Sequence, residues 1–156
     1  MKVISKSVKE TINIGKSLAR KLKKGDIICL FGELGSGKTV LTKGIACGLK
    51  IPKEEVISPT FVLIRQYQKG DLPIYHFDLY RLKSPDDIAL LGYEEYFYDQ
   101  GVSVIEWPDR LKYLAPKDYL RIDLKVTGVD KRLLKFSGRG SRYKILLGEI
   151  SEDIGN

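Results

Sequence analysis

The sequence predicts an α/β fold, a mixed β-sheet flanked by helices, on three observations. A continuous apolar run, IICLF at residues 27–31, reads as a short strand buried on both faces. It leads directly into GELGSGKT, residues 32–39, and then into Val40, Leu41, Ile45, Ala46 and Leu49 at helical spacing. Two further apolar runs, IYHFD and VSVIE, each end on an acid, Asp78 and Glu106. The spacing Gly32, four residues, Gly37, Lys38, Thr39 fits the phosphate-loop pattern, so the predicted core is P-loop NTPase-like.

SVKETINIGKSLARKL, residues 7–22, sets Val8, Ile12, Leu18 and Leu22 among polar residues, as an amphipathic helix does. Ser7 is placed to cap it, Glu10 to complete a capping box, and Gly25 closes it. Pro52 ends the helix that follows the loop. FVLIRQYQ and LPIYHFDLY flank the KGD of residues 69–71 and predict an antiparallel hairpin. SPDDIALLGYEEYF, residues 84–97, begins as a helix should: Ser84 as cap, Pro85 in the first position, acids in the first turn. Gly101 leads into VSVIEW, a short buried strand. YLRIDLKVTG alternates apolar with polar residues, and KRLLKF after Gly128 to Asp130 completes a second hairpin with half-exposed strands. No repeat, linker or low-complexity tract intervenes, and residues 1–156 read as a single domain with a core of its own.

Composition narrows the function classes. No apolar stretch approaches a membrane span, and MKVISKSVKE lacks the apolar centre of a signal peptide, which predicts a cytoplasmic protein with no membrane association. Cys29 and Cys47 belong to no CxxC spacing and read as small core residues. A single histidine, His76, excludes a His-rich zinc site. The net charge is +7, and Lys131, Arg132, Lys135, Arg139, Arg142 and Lys144 gather near the C-terminus. Such a segment could meet nucleic acid or an acidic partner, and equally could be a solvated face.

The chemistry centres on the loop. Its glycines permit positive φ and let backbone N–H groups approach an anion, and the following helix N-terminus adds free donors and a favourable dipole. The expected nucleotide-binding set is Gly32, Glu33, Leu34, Gly35, Ser36, Gly37, Lys38, Thr39 and Val40, with Lys38 on the β- and γ-phosphates and the Thr39 hydroxyl on Mg²⁺. Asp78 and Glu106 end strands, where ligands of open α/β sheets bind, so both are candidates for holding Mg²⁺ and positioning water. Ser58 and Thr60 of SPTF are candidates for contacting the γ-phosphate as a switch segment. Trp107, the only tryptophan, packs either beside the nucleotide, against a partner, or in the core. The only asparagines, Asn13 and Asn156, form no N-K-x-D guanine reader. A small-molecule kinase with a reduced lid and a nucleotide-dependent interaction module remain open beside an ATPase.

With GELGSGKT, SPTF, YHFDLYRL and IEWPDR in that order, and ETINIGKSLA before them, the chain resembles the TsaE family (also called YjeE), the P-loop ATPases of bacterial tRNA threonylcarbamoyladenosine synthesis. The resemblance covers roughly residues 5–125. It implies a protein that binds ATP and Mg²⁺ and hydrolyses ATP weakly alone. Its partners would be TsaD and TsaB, with TsaD transferring the threonylcarbamoyl group to the adenosine beside the anticodon and tRNA met only indirectly or weakly through the complex. By motif, Lys38 and Thr39 keep their phosphate and metal roles, and Asp78 and Glu106 match acids near the metal and attacking water. Trp107 matches a tryptophan near the nucleotide and Thr11 a position on the adenine side. Glu33, Ser36 and Val40 stand where the family loop often carries Asp, Ala and a second Thr.

Overall fold

Seven strands form one mixed sheet in the computed structural model, which describes residues 1–154. The elements are β1 (Lys2–Ser5), α1 (Val8–Ala19), β2 (Ile27–Phe31), α2 (Lys38–Gly48), β3 (Ile64–Tyr67), β4 (Ile74–Asp78), α3 (Pro85–Ala89), α4 (Glu94–Phe97), β5 (Val102–Glu106), β6 (Tyr119–Val126), β7 (Arg132–Arg139) and α5 (Ser141–Ile154). The strand order is β1-β7-β6-β2-β5-β4-β3. Pairings among β6, β2, β5 and β4 are parallel, and the antiparallel pairs lie towards the two edges. The predicted α/β fold with a mixed sheet is the one observed.

Strand alternation sorts the core into two layers. Ile28, Leu30, Val104, Leu120 and Ile122 pack in one cluster with Ile14 and Leu18 of α1, Leu41 and Ile45 of α2, and Leu146 and Ile150 of α5. Ile27, Cys29, Phe77 and Ile105 pack in the other with Ile88 of α3 and Phe97 of α4. Burial pushes the Cys29 thiol far above its ordinary pKa, so it behaves as a small apolar residue. Helices α1 and α2 touch backbone to backbone: a Cβ on Gly44 would fall 2.4 Å from the carbonyl oxygen of Ile12, so glycine is what permits this approach. That contact fixes the helix behind the phosphate loop against the first layer of the core. Among the described residues no helix is long and apolar enough to cross a membrane.

Several expectations are corrected. The helix expected over residues 84–97 is two short helices: α3 ends at Ala89, and a turn through Gly92, at φ 65°, leads into α4; Ser84 caps α3 as expected, and the Asp87 side chain completes a capping box with it. The first arm of the hairpin is shorter than expected. The Pro59 carbonyl collects the N–H groups of Val62 and Leu63, which turns residues 61–63 before β3 begins. Ser7 caps α1, but the Glu10 carboxylate reaches back to the Lys6 N–H at 2.7 Å, one residue beyond the cap. Strand β1 and helix α5 were not foreseen. The first is a four-residue edge strand that pairs with distant β7, and the second buries Tyr143, Leu146 and Ile150 along one face.

Helix α5 is anchored by a buried carboxylate. Arg142 donates to Asp26 at 2.7 and 3.0 Å and to the Lys21 carbonyl at 3.0 Å, while Asp26 is almost fully buried. Arg142 therefore serves the fold and not the basic surface suggested by charge alone. Arg142→Ala leaves Asp26 with one backbone donor, the Lys23 N–H. The expected cost is about 2–4 kcal/mol of stability, read by chemical denaturation with an unchanged m value.

Candidate functional site

The site is built where β2, β4 and β5 end. In the parallel register Leu30 lies opposite Glu106, and Asp78 lies opposite the same residue from the other side. Register alone therefore sets both acids beside the loop that leaves β2. The loop turns into α2 through Gly37, whose φ of 103° favours glycine. The first N–H groups of α2 are left free of intrahelical partners, as an anion site requires.

Lys38 is nearly buried and folds back on its own loop. Its Nζ donates to the carbonyls of Gly32 at 2.6 Å and Glu33 at 2.9 Å. The ammonium also lies 4.3 Å from the centre of the Trp107 ring, within cation–π range. Desolvation pulls its pKa below the usual lysine value, against the opposing pull of Glu106, Asp78 and Asp109. Trp107 itself occupies the left-handed region at φ 59°, an uncommon conformation for a bulky side chain. Conformations of this kind cost of order 1–3 kcal/mol and persist where surroundings impose them. Here the turn brings the indole over Lys38 and beside Tyr80, with ring centres 5.0 Å apart.

Two acids are held by two different sets of donors. The Thr39 hydroxyl lies 3.1 and 3.2 Å from the two carboxylate oxygens of Glu106. His76 Nε2 lies 2.8 Å from Oε1 of the same carboxylate, and Glu106 is 3% exposed. Asp78 Oδ2 accepts from Ser58 Oγ at 2.7 Å and Thr60 Oγ1 at 2.8 Å, and Oδ1 accepts from the Tyr80 N–H at 3.1 Å. The SPTF hydroxyls thus turn onto Asp78, tying that segment to the end of β4.

A cleft of about 570 Å³ brings together the loop from Leu34 to Val40 with Ser58, Thr60, Asp78, Glu106 and Trp107. Gly32 and Glu33 stand behind it and hold Lys38 through their carbonyls. Thr11 is not in the cleft. It is buried, hydrogen bonds with Ser5 Oγ at 2.7 Å, and lines a small recess on the other flank of the loop beside Gly37 and Val40. A larger groove of about 890 Å³ runs along α1 and past the end of α2, lined by residues such as Lys16, Cys47 and Ile51. It lacks converging carboxylates, and the chemistry-bearing residues lie in the smaller cleft.

Sequence reasoning missed His76, Tyr80, Arg81 and Arg132. The period-2 alternation of IYHFD already sets His76 on the face of Asp78, so that residue was readable. Arg132 comes from the distant second hairpin, lines both the cleft and the recess, and reaches towards the Gly35 carbonyl at 3.5 Å, with no local signal to announce it. Among the described residues no three His, Cys, Asp or Glu side chains gather as a metal-binding group. The oxygen donors present, Thr39, Glu106 and Asp78, suit a hard divalent cation that takes its remaining ligands from phosphate and water.

Residues 5–134 match the family described as threonylcarbamoyl adenosine biosynthesis protein TsaE. A protein of Bacillus subtilis named tRNA threonylcarbamoyladenosine biosynthesis protein TsaE is 44% identical over 142 residues, covering 91% of this chain and 88% of that protein. A protein of the same name from Treponema pallidum is 41% identical over 126 residues, 81% of this chain and 92% of its own. Among solved structures, YdiB of Bacillus subtilis superposes with a TM-score of 0.86 at 38% identity, covering 98% of this chain and 95% of that one.

Proposed function

The chain belongs to the TsaE family, and from that premise we propose that it is a Mg²⁺-dependent ATPase of the cytoplasm that supports threonylcarbamoylation of tRNA, acting with TsaD and TsaB. The observation that carries the ATPase reading is the contact of Thr39 with Glu106 at the mouth of the phosphate loop. A hydroxyl and a carboxylate meet there beside a lysine and the start of a helix, the oxygen donors and cations that a triphosphate with its magnesium ion requires. Bound there, magnesium would neutralise charge on the β- and γ-phosphates.

The residues then divide the work. Backbone N–H groups of the loop bind the phosphates. Lys38 exchanges the Gly32 and Glu33 carbonyls for phosphate oxygens, and the Trp107 ring flanks its ammonium. Thr39 and Glu106 are the metal donors, and Asp78 stands one strand away to orient water. Because Ser58 and Thr60 are bonded to Asp78, a change at the γ-phosphate is transmitted to the 58–61 segment. Thr11 and Arg132 mark the flank on which the adenosine lies. Arg81 and Arg132 line the cleft, but Arg81 rests over the Phe61 ring at 4.3 Å and Arg132 on carbonyls of its own turn, so each must leave those contacts to meet the γ-phosphate. Hydrolysis is accordingly slow until the partner proteins complete the site.

Calorimetric titration with ATP, with and without Mg²⁺, tests the reading. Saturable Mg²⁺-dependent binding and release of the γ-phosphate to water are expected. Transfer of that phosphate to a metabolite would replace the reading with a kinase, and no binding would overturn it.

A further inference from the structure

We infer that His76 is a positioning residue for Glu106, fixing which of the two carboxylate oxygens faces the nucleotide; the inference rests on the ATPase reading above. His76 and Asp78 share one face of β4, and the register sets His76 opposite Val104 and Asp78 opposite Glu106. The ring is fully buried, its Nε2 lies 2.8 Å from Glu106 Oε1, and its Nδ1 has no hydrogen-bond partner among the described residues. To satisfy the carboxylate the ring must donate from Nε2. Nδ1 is then a bare acceptor, which is less costly to bury than an unpaired N–H. An apolar side chain would fill the same place between Ile74 and Val104 of the core layer and would leave no orphaned nitrogen. Among the described residues the ring's one polar contact is with Glu106, and that contact accounts for a histidine there.

The consequence is an asymmetry in Glu106. Oε1 is taken by His76 at 2.8 Å, lies 3.1 Å from the Thr39 hydroxyl, and lies 3.5 Å from the Thr42 hydroxyl, which donates to the Lys38 carbonyl at 3.0 Å. Among the described residues Oε2 has Thr39 alone, at 3.2 Å. His76 thus tethers Oε1 and leaves Oε2 the less-bonded oxygen, open to a divalent cation beside the Thr39 hydroxyl that both oxygens share. Partners of this kind, behind a metal-ligating group, typically change metal affinity or activity by 10–100-fold when removed.

The test compares His76→Leu, which keeps apolar volume and removes the donor, with His76→Gln, which keeps a donor. Mn²⁺ affinity in the presence of a non-hydrolysable ATP analogue is measured by electron paramagnetic resonance, and ATP hydrolysis under single-turnover conditions. In His76→Leu we expect Mn²⁺ to bind about tenfold more weakly and hydrolysis to slow by about 10–100-fold, with affinity for the nucleotide alone within about threefold. His76→Gln is expected to recover most of both losses, which a role in packing alone would not produce. His76 is the only histidine, so its ring nitrogens are read in the wild-type protein without assignment, and the hydrogen is expected on Nε2. Wild-type Mn²⁺ affinity and rate in a folded His76→Leu, or a ring hydrogen on Nδ1, would overturn the inference. If the wild-type protein hydrolyses no ATP, the ATPase reading fails, while the Mn²⁺ titration and the ring spectrum still decide His76.

Discussion

Lys38→Ala is expected to weaken ATP binding by at least about 100-fold and to remove hydrolysis with it. The ammonium is seated inside the loop, on the carbonyls of Gly32 and Glu33, and charge-assisted hydrogen bonds of such a group to phosphate are worth about 1.5–3 kcal/mol each. Burial lowers its pKa, so the apo protein holds a partly desolvated cation against two carbonyls at 2.6 and 2.9 Å. Phosphate oxygens carry full charge and bind an ammonium more strongly than carbonyls do, which gives Lys38 reason to leave its present partners when a triphosphate arrives. Alanine loses that exchange. It also leaves the Trp107 ring without the cation 4.3 Å from its centre, so a change in tryptophan fluorescence on adding ATP is expected in the wild type and not in the variant. Binding by Lys38→Ala within threefold of wild type would remove the lysine from the site.

Glu106→Gln is expected to do the opposite: nucleotide affinity within about threefold of wild type and turnover down by about 100-fold or more. The amide keeps the shape of the carboxylate, so a fully buried neighbour such as His76 retains a hydrogen-bonding partner. What it loses is the negative charge beside Thr39, and with it the donor set for a divalent cation. The Mg²⁺ dependence of single-turnover hydrolysis reads this directly. Equal rates in the variant and the wild type would sink the assignment of Glu106. Together the two substitutions separate binding from chemistry in one cleft, because they act on groups that meet the nucleotide at different points.

The parts of the site that lie in local sequence were legible. The phosphate loop is a contiguous spacing, and the acids at the ends of IYHFD and VSVIE follow from strand periodicity. Their adjacency across β4 and β5 is a property of register, which the sequence suggests only through the rule that ligands gather at strand ends. A single histidine carries no zinc spacing, and the role of His76 follows only from its place on the strand face of Asp78, opposite Val104 and beside Glu106. Arg132 could not be found locally: the antiparallel return of β7 onto β6 is what carries it to the loop. The same long-range pairing hid β1, a four-residue edge strand whose partner lies at the far end of the chain. Helix α5 is readable in the helical spacing of Tyr143, Leu146 and Ile150, a short period set among many basic residues. Gly92 shows the converse: a glycine inside the predicted helix lies, at φ 65°, in the turn that separates two short ones.

The most direct measurement is made in the native cell. Depletion of the protein, followed by quantification of threonylcarbamoyladenosine in purified tRNA by mass spectrometry, with rescue by wild type or by Lys38→Ala, joins the loop to the pathway. Loss of the modified nucleoside on depletion, restored by wild type and not by Lys38→Ala, is the expected result. Unchanged levels on depletion, or full rescue by Lys38→Ala, would contradict the claim that this chain spends ATP in tRNA threonylcarbamoylation.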